Sequence, residues 1–165
     1  MEFRLQPRLT LQAGAGIANA GQLRIGDTTT INVQPGPLAV VAGAYRVSDG
    51  LGTSPFVLLT GALSFSTAET QGAAAVDRTR LTALDARFGL SVGKLFLNRL
   101  APYVTARAFG GPVYWRYLGQ RRLGTDLYHF QVGLGLVVRM KQIDSFVEIN
   151  PLGARSFSSG LAYSF

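Results

Sequence analysis

The sequence predicts an all-β protein, an antiparallel up-and-down β-barrel of eight strands, and three observations carry that prediction. Apolar residues alternate with small or polar ones at period two in segment after segment, long and short connections alternate along the chain, and charges are scarce within the segments. At 165 residues the chain makes a single domain, 1–165. Charged residues are 15% of it, against about 25% in ordinary soluble domains, and mean hydropathy is positive, so a disordered chain is excluded.

The first segment sets Phe3, Leu5, Pro7, Leu9, Leu11, Ala13, Ala15 and Ile17 against Arg4, Gln6, Arg8, Thr10, Gln12, Gly14 and Gly16, which reads as one long two-faced strand. The second, 37–48, is so uniformly small and apolar that its facing is not readable. The third (Val57, Leu59, Leu63, Phe65) and fourth (Leu84, Ala86, Phe88, Leu90, Val92) alternate cleanly. In the fifth, 101–115, Val104, Ala106 and Ala108 share a parity that Trp115 leaves, which suggests a bulge at Gly110-Gly111-Pro112. The sixth is the clearest, with Tyr128, Phe130, Val132, Leu134, Leu136 and Val138 against His129, Gln131, Gly133, Gly135, Val137 and Arg139. Segments 145–151 and 156–165 complete the eight.

Long connections fall at 18–36, 68–79 and 116–126, and short ones at 49–52, 94–100 and 141–144, with the short 152–155 link out of step. A meander with this rhythm gathers its long loops at one end and its short turns and both termini at the other. Whether the first long loop carries a further hairpin near 23–33 is left open.

Two opposite objects share this pattern, a soluble barrel with an apolar lumen and a membrane barrel with an apolar exterior. The polar face decides. A soluble exterior carries Lys and Glu, but both lysines (Lys94, Lys141) sit in turns, and Glu148 is the one Glu within a strand core. Gly, Ser, Thr, Ala and Gln with a few Arg fill the face opposite the apolar stripe, and such small side chains suit the crowded inside of a narrow cylinder. The apolar stripe is therefore expected to face lipid, and the fold class is a transmembrane antiparallel β-barrel.

The chain ends Gly160-Leu161-Ala162-Tyr163-Ser164-Phe165, with Leu161, Tyr163 and the terminal Phe165 on one face. This resembles the C-terminal strand signal that assembly machinery reads in bacterial outer-membrane β-barrel proteins, and in pattern the whole chain resembles the small eight-stranded OmpA and OmpX type barrels. The resemblance implies a monomer in the Gram-negative outer membrane, with periplasmic termini, surface loops, and outer-membrane lipids, lipopolysaccharide and the assembly machinery as partners. Met1 to Arg4 lack the basic-then-apolar run of a secretory signal, so a mature chain is expected.

Chemistry is sparse. Zero Cys and a single His exclude thiol catalysis, thiolate zinc and multi-histidine metal sites, so neither metal nor cofactor is expected. The net charge of +7 is scattered Arg, which argues against nucleic acid. With Gly93 set opposite Ala101, Arg87 faces Arg107 with Asp85 diagonal to it. With the 141–144 turn setting Glu148 opposite Val137, Arg139 is diagonal to Glu148. Asp85, Arg87, Arg107, Arg139, Glu148 and His129 are thus expected as an interior polar and salt-bridge cluster, because charges inside a narrow barrel must pair. His129 has no Ser at two-residue spacing, as a general base beside a nucleophile would need, and paired carboxylates are missing, so no enzyme is expected. Arg116, Arg121 and Arg122, beside Tyr114, Trp115 and Tyr117, are candidate contacts for lipopolysaccharide phosphates. The expected role is envelope structure or surface recognition through the long loops. Alternatives are passage of small hydrophobic molecules, as the OmpW type resembles, and lipid A modification.

Overall fold

A computed structural model describes residues 2–25, 29–50, 52–71, 79–117 and 120–163. Among these there is no helix; thirteen strands form one antiparallel sheet. They are β1 (Glu2–Gln6), β2 (Leu9–Ala18), β3 (Gly21–Ile25), β4 (Thr29–Val33), β5 (Gly36–Asp49), β6 (Phe56–Gln71), β7 (Thr79–Gly93), β8 (Leu100–Gly110), β9 (Val113–Tyr117), β10 (Gln120–Gly124), β11 (Phe130–Met140), β12 (Ile143–Gly153) and β13 (Ser156–Tyr163). The main path runs β1-β2-β5-β6-β7-β8-β11-β12-β13, a nine-strand sheet curled as a half-barrel. The eight expected segments correspond to β2, β5, β6, β7, β8, β11, β12 and β13.

The described ladders form an open path. Among the described residues no ladder joins the two ends of the path, and the outer edge of β2 is taken by β1. The expected single first strand folds back on itself at Pro7-Arg8, where the proline cannot donate to a ladder. Alternation survives this reversal because Glu2 pairs with Gln12, Phe3 with Leu11 and Arg4 with Thr10, so parity matches between the two strands away from the turn, with an irregularity between Arg4 and Gln6. Period two alone cannot distinguish such a hairpin from a straight strand.

Two of the expected loops carry sheet. β3 and β4 form a hairpin within 18–36, tied to β6 through Val33↔Thr70, and β9 and β10 form another across 116–126. The β6–β7 ladder runs up to Thr70↔Thr79, so the third expected loop is shortened to residues outside the described set. The bulge expected at Gly110-Gly111-Pro112 is also corrected. Ala86↔Gly110, Leu84 N donating to Pro112 O at 3.1 Å, and Ala83↔Val113 keep one register, so β9 continues β8 along β7 and Trp115 simply takes the inward parity. Gly111 is required there because a Cβ would strike the backbone of Leu84.

The two faces differ sharply. Buried apolar residues among those described are Ile31 and Leu81, whereas Thr67, Thr70, Ser91, Thr105, Gln131, Glu148 and Asn150 are buried polar ones. The apolar stripe is the exposed one, with Phe88 68%, Leu63 66% and Leu134 56% accessible. On β5 the facing is now fixed, for Val41 and Tyr45 are exposed while Leu38, Val40, Ala42 and Ala44 are partly covered.

Register on β7–β8 differs from the expectation by two residues. Gly93 pairs with Tyr103, not Ala101, and Ser91 with Thr105, whose hydroxyls are 3.0 Å apart. The residues 94–100 form a wider turn in which Phe96 bridges Leu100, and this moves the strands past each other. In this Cys-free chain, Ser91→Cys with Thr105→Cys should form a disulfide on mild oxidation, and Ser91→Cys with Tyr103→Cys should not; non-reducing gels after proteolysis distinguish them.

Candidate functional site: the interior polar cluster

Glu148 is the centre of the inward face. β12 places it opposite Gly135 of β11, and Gly135 in turn stands opposite Tyr103 of β8. Arg107, four residues further along β8, reaches over β11 and grips the Glu148 carboxylate through both terminal nitrogens, one contact at 2.7 Å. Tyr103 Oη donates to Glu148 Oε2 at 2.9 Å, and Asn150 Nδ2 donates to Glu148 Oε1 at 2.9 Å and to Ser156 Oγ at 3.0 Å. The forked guanidinium fits a carboxylate, and the remaining oxygen valences are filled by neutral donors, so a charge with a side chain only 5% accessible is compensated.

Glycine makes this possible. A Cβ at Gly135 would enter the Tyr103 ring, and one at Gly133 would strike the Asn150 amide. β11 alternates Gln131, Gly133 and Gly135 inward because the space above its backbone belongs to side chains from β8 and β12.

The six residues expected as one cluster are thus dispersed to three levels, and Arg107 with Glu148 is the pair brought together at the middle one. The expected opposition of Arg87 and Arg107 is corrected: Arg107 faces Gly89, Arg87 faces Phe109, and the partner of Arg107 is Glu148, not Asp85. At the long-connection end, Arg87 Nη2 lies 3.5 Å from Asp85 Oδ2 and its guanidinium stands 5.1 Å from the centroid of the Phe109 ring. His129 is exposed at this level, its carbonyl accepting from Phe109 N at 2.9 Å. Asp126, in the segment between β10 and β11, has a carboxyl raised above its ordinary range, first by burial and then by the nearby Asp85 charge. At the short-turn end, Arg139 pairs with Asp144 at 3.0 and 3.2 Å, since Glu148 lies opposite Gly135 and not Val137.

Sequence reasoning missed Tyr103, Asn150, Asp144 and Asp126. The parity of β12 does place Asn150 beside Glu148, but setting Glu148 opposite Val137 instead of Gly135 concealed Tyr103, which faces Gly135 from β8. Among the described residues no group of three His, Cys, Asp or Glu is placed to hold a metal ion. Of the candidate phosphate contacts, Arg116 and Arg121 face each other across β9–β10, whereas Arg122 pairs with Trp115 on the other face. Leu161 and Tyr163 are exposed on the apolar face of β13, and Phe165 lies outside the described residues.

Removing one partner of this pair leaves a buried charge. Arg107→Leu should lower unfolding stability in detergent by about 3–5 kcal/mol. Tyr103→Phe, which removes one neutral donor, should cost about 1–2 kcal/mol. In a double-mutant cycle with Glu148→Gln, the Arg107→Leu loss should shrink by more than half; an undiminished loss would show that Arg107 acts elsewhere.

Comparison with known proteins finds no matching family model, no matching curated protein and no matching solved structure.

Proposed function

We propose that this chain is a transmembrane β-barrel protein of a bacterial outer membrane, non-enzymatic, with an envelope-structural or surface-recognition role. One observation carries the reading: the half-barrel buries its hydroxyls, amides and a carboxylate, and presents its Leu, Phe, Val and Ile side chains outward. In water each such aliphatic or aromatic side chain would forgo about 1.5–3 kcal/mol of burial, and no soluble monomer sustains an apolar patch this extensive. In a bilayer the same surface is solvated by acyl chains, and backbone groups are satisfied within the ladder. Tyr45 and Tyr163 on the short-turn side and Phe65, Tyr114 and Phe157 on the other stand at the borders of the apolar band, where an aromatic girdle sits.

Closure completes the reading. Along the path from β2 to β13 each strand is antiparallel to the next, so β2 and β13 run in opposite directions and can form an antiparallel seam once β1 leaves the β2 edge. Bilayers require that seam, because an unpaired strand edge in hydrocarbon is costly. The Arg107–Glu148–Tyr103 bridge ties β8 to β12 across β11 at mid-height on the inward face, which supports a structural or recognition role over passage through the lumen. Placement in the outer membrane rests on the resemblance of the whole alternating pattern to the small outer-membrane barrels.

The test is folding into lipid. Refolded into phosphatidylcholine vesicles, the chain should show β-type circular dichroism and a gel mobility that changes on boiling. Cysteines walked along β13 against one fixed at Ala13 of β2 should give a disulfide at one register. A boiling-insensitive band, or a heat-shifted protein with no β2–β13 disulfide at any register, would reject the closed barrel.

A further inference from the structure

The hairpin β9–β10 and the upper part of β7 carry three arginines in a row. Leu81 pairs with Trp115, so Arg80 stands beside Arg116 one position further on, and Arg116 pairs directly with Arg121. By strand alternation all three share the face of Tyr114 and Leu123, which is the outward, apolar face, while Arg122 and Trp115 take the other. All three arginines are exposed. Among the described residues no carboxylate lies within the 4.0 Å ion-pair distance of any of them, including Glu69, which pairs with Arg80 across β6–β7.

Height decides what such a row meets. The apolar outward run on β7 starts at Val92 and passes Leu90, Phe88 and Leu84 to the level of Thr82 and Tyr114. At about 3.3 Å per residue and a tilt of about 40°, those ten steps span about 25 Å, the height of a barrel's hydrocarbon band. The next outward position holds Arg80, Arg116 and Arg121. Three arginines on neighbouring strands, whose backbones lie about 5 Å apart, form a strip about 10 Å wide, on top of an aromatic border, where lipid phosphates lie.

Resting on the membrane reading above, we propose that Arg80, Arg116 and Arg121 bind the phosphomonoester headgroup of a membrane lipid. Each guanidinium offers a fork of N–H donors matched to phosphate oxygens, and three positive charges on one face exceed what a dianionic group neutralises. A cavity of about 530 Å³ at the row is lined by the three arginines together with Trp115 and Arg122, which gives the headgroup a depth to enter. Trp115 is the single tryptophan of the chain, so the site carries its own fluorescent reporter.

The experiment folds the full chain in dodecylmaltoside micelles and follows Trp115 emission during titration with dioleoylphosphatidic acid, dioleoylphosphatidylcholine or inorganic phosphate. Phosphatidic acid should give a saturable change that phosphatidylcholine does not, and inorganic phosphate should require a concentration higher by about a hundredfold. The triple variant Arg80→Gln, Arg116→Gln, Arg121→Gln should weaken phosphatidic acid binding by at least about tenfold, and Arg46→Gln, an exposed arginine at the opposite, short-turn end, by less than about twofold. Equal affinity in the triple variant overturns the proposal. So does an equal response to inorganic phosphate, which would make the ligand a free anion and not a lipid. A flat titration in protein that still shifts on boiling overturns this inference alone, whereas loss of the boiling shift would remove the membrane reading with it.

Discussion

An antiparallel sheet with most of its long apolar side chains on one face has to place that face against something other than water. In this protein the other face cannot serve as a conventional core, because it is occupied by hydroxyls, amides, glycines and one tightly held carboxylate. Burial is inverted relative to a soluble domain, where apolar area removed from water is the main stabilising quantity. Here the inward face is held by hydrogen bonds and one forked ion pair, and the outward face is left for an apolar solvent. Every proposal about membrane, seam and headgroup depends on that inversion.

The inward face is packed by pairing large with absent side chains. Tyr103 lies across Gly135, Phe56 across Gly93, Phe146 across Gly160 and Arg107 across Gly89, each pair on neighbouring strands. At each of these glycines a Cβ would crowd the long partner. Long side chains thus lie flat over the neighbouring strand and fill a narrow interior without forcing the strands apart, which also covers glycine backbone in the strand. The abundance of glycine is therefore a packing requirement more than a turn requirement. Gly50, with φ of 73° and Phe56 pressed against it, is an exception where a turn sets the demand.

Much of this was legible in residue order, and what was not has identifiable causes. Leu134, Leu136 and Phe88 announced their common face by alternation, and they are exposed in the structure. Glu148 and Arg107 were both readable as inward, but their pairing was not, since it depends on the register of β11 against both β8 and β12. An error of two residues preserves every facing while changing every partner, so the cluster's members were legible and its bonds were not. The hairpin at Pro7-Arg8 escaped for a related reason, since its three outer pairs match even residues with even and odd with odd. Arg80 lay outside the arginine group read from sequence because proximity along the chain cannot report proximity across a ladder.

The most direct measurement is a scan of single spin-labelled cysteines along β7, from Leu84 to Val92, in phosphatidylcholine vesicles. Accessibility to oxygen, which concentrates in hydrocarbon, should be high at 84, 86, 88, 90 and 92 and low at 85, 87, 89 and 91, with a water-soluble nickel complex excluded from the even positions. High nickel accessibility at Phe88 and Leu90, equal to that of an exposed loop label, would place the apolar stripe in water and contradict the account.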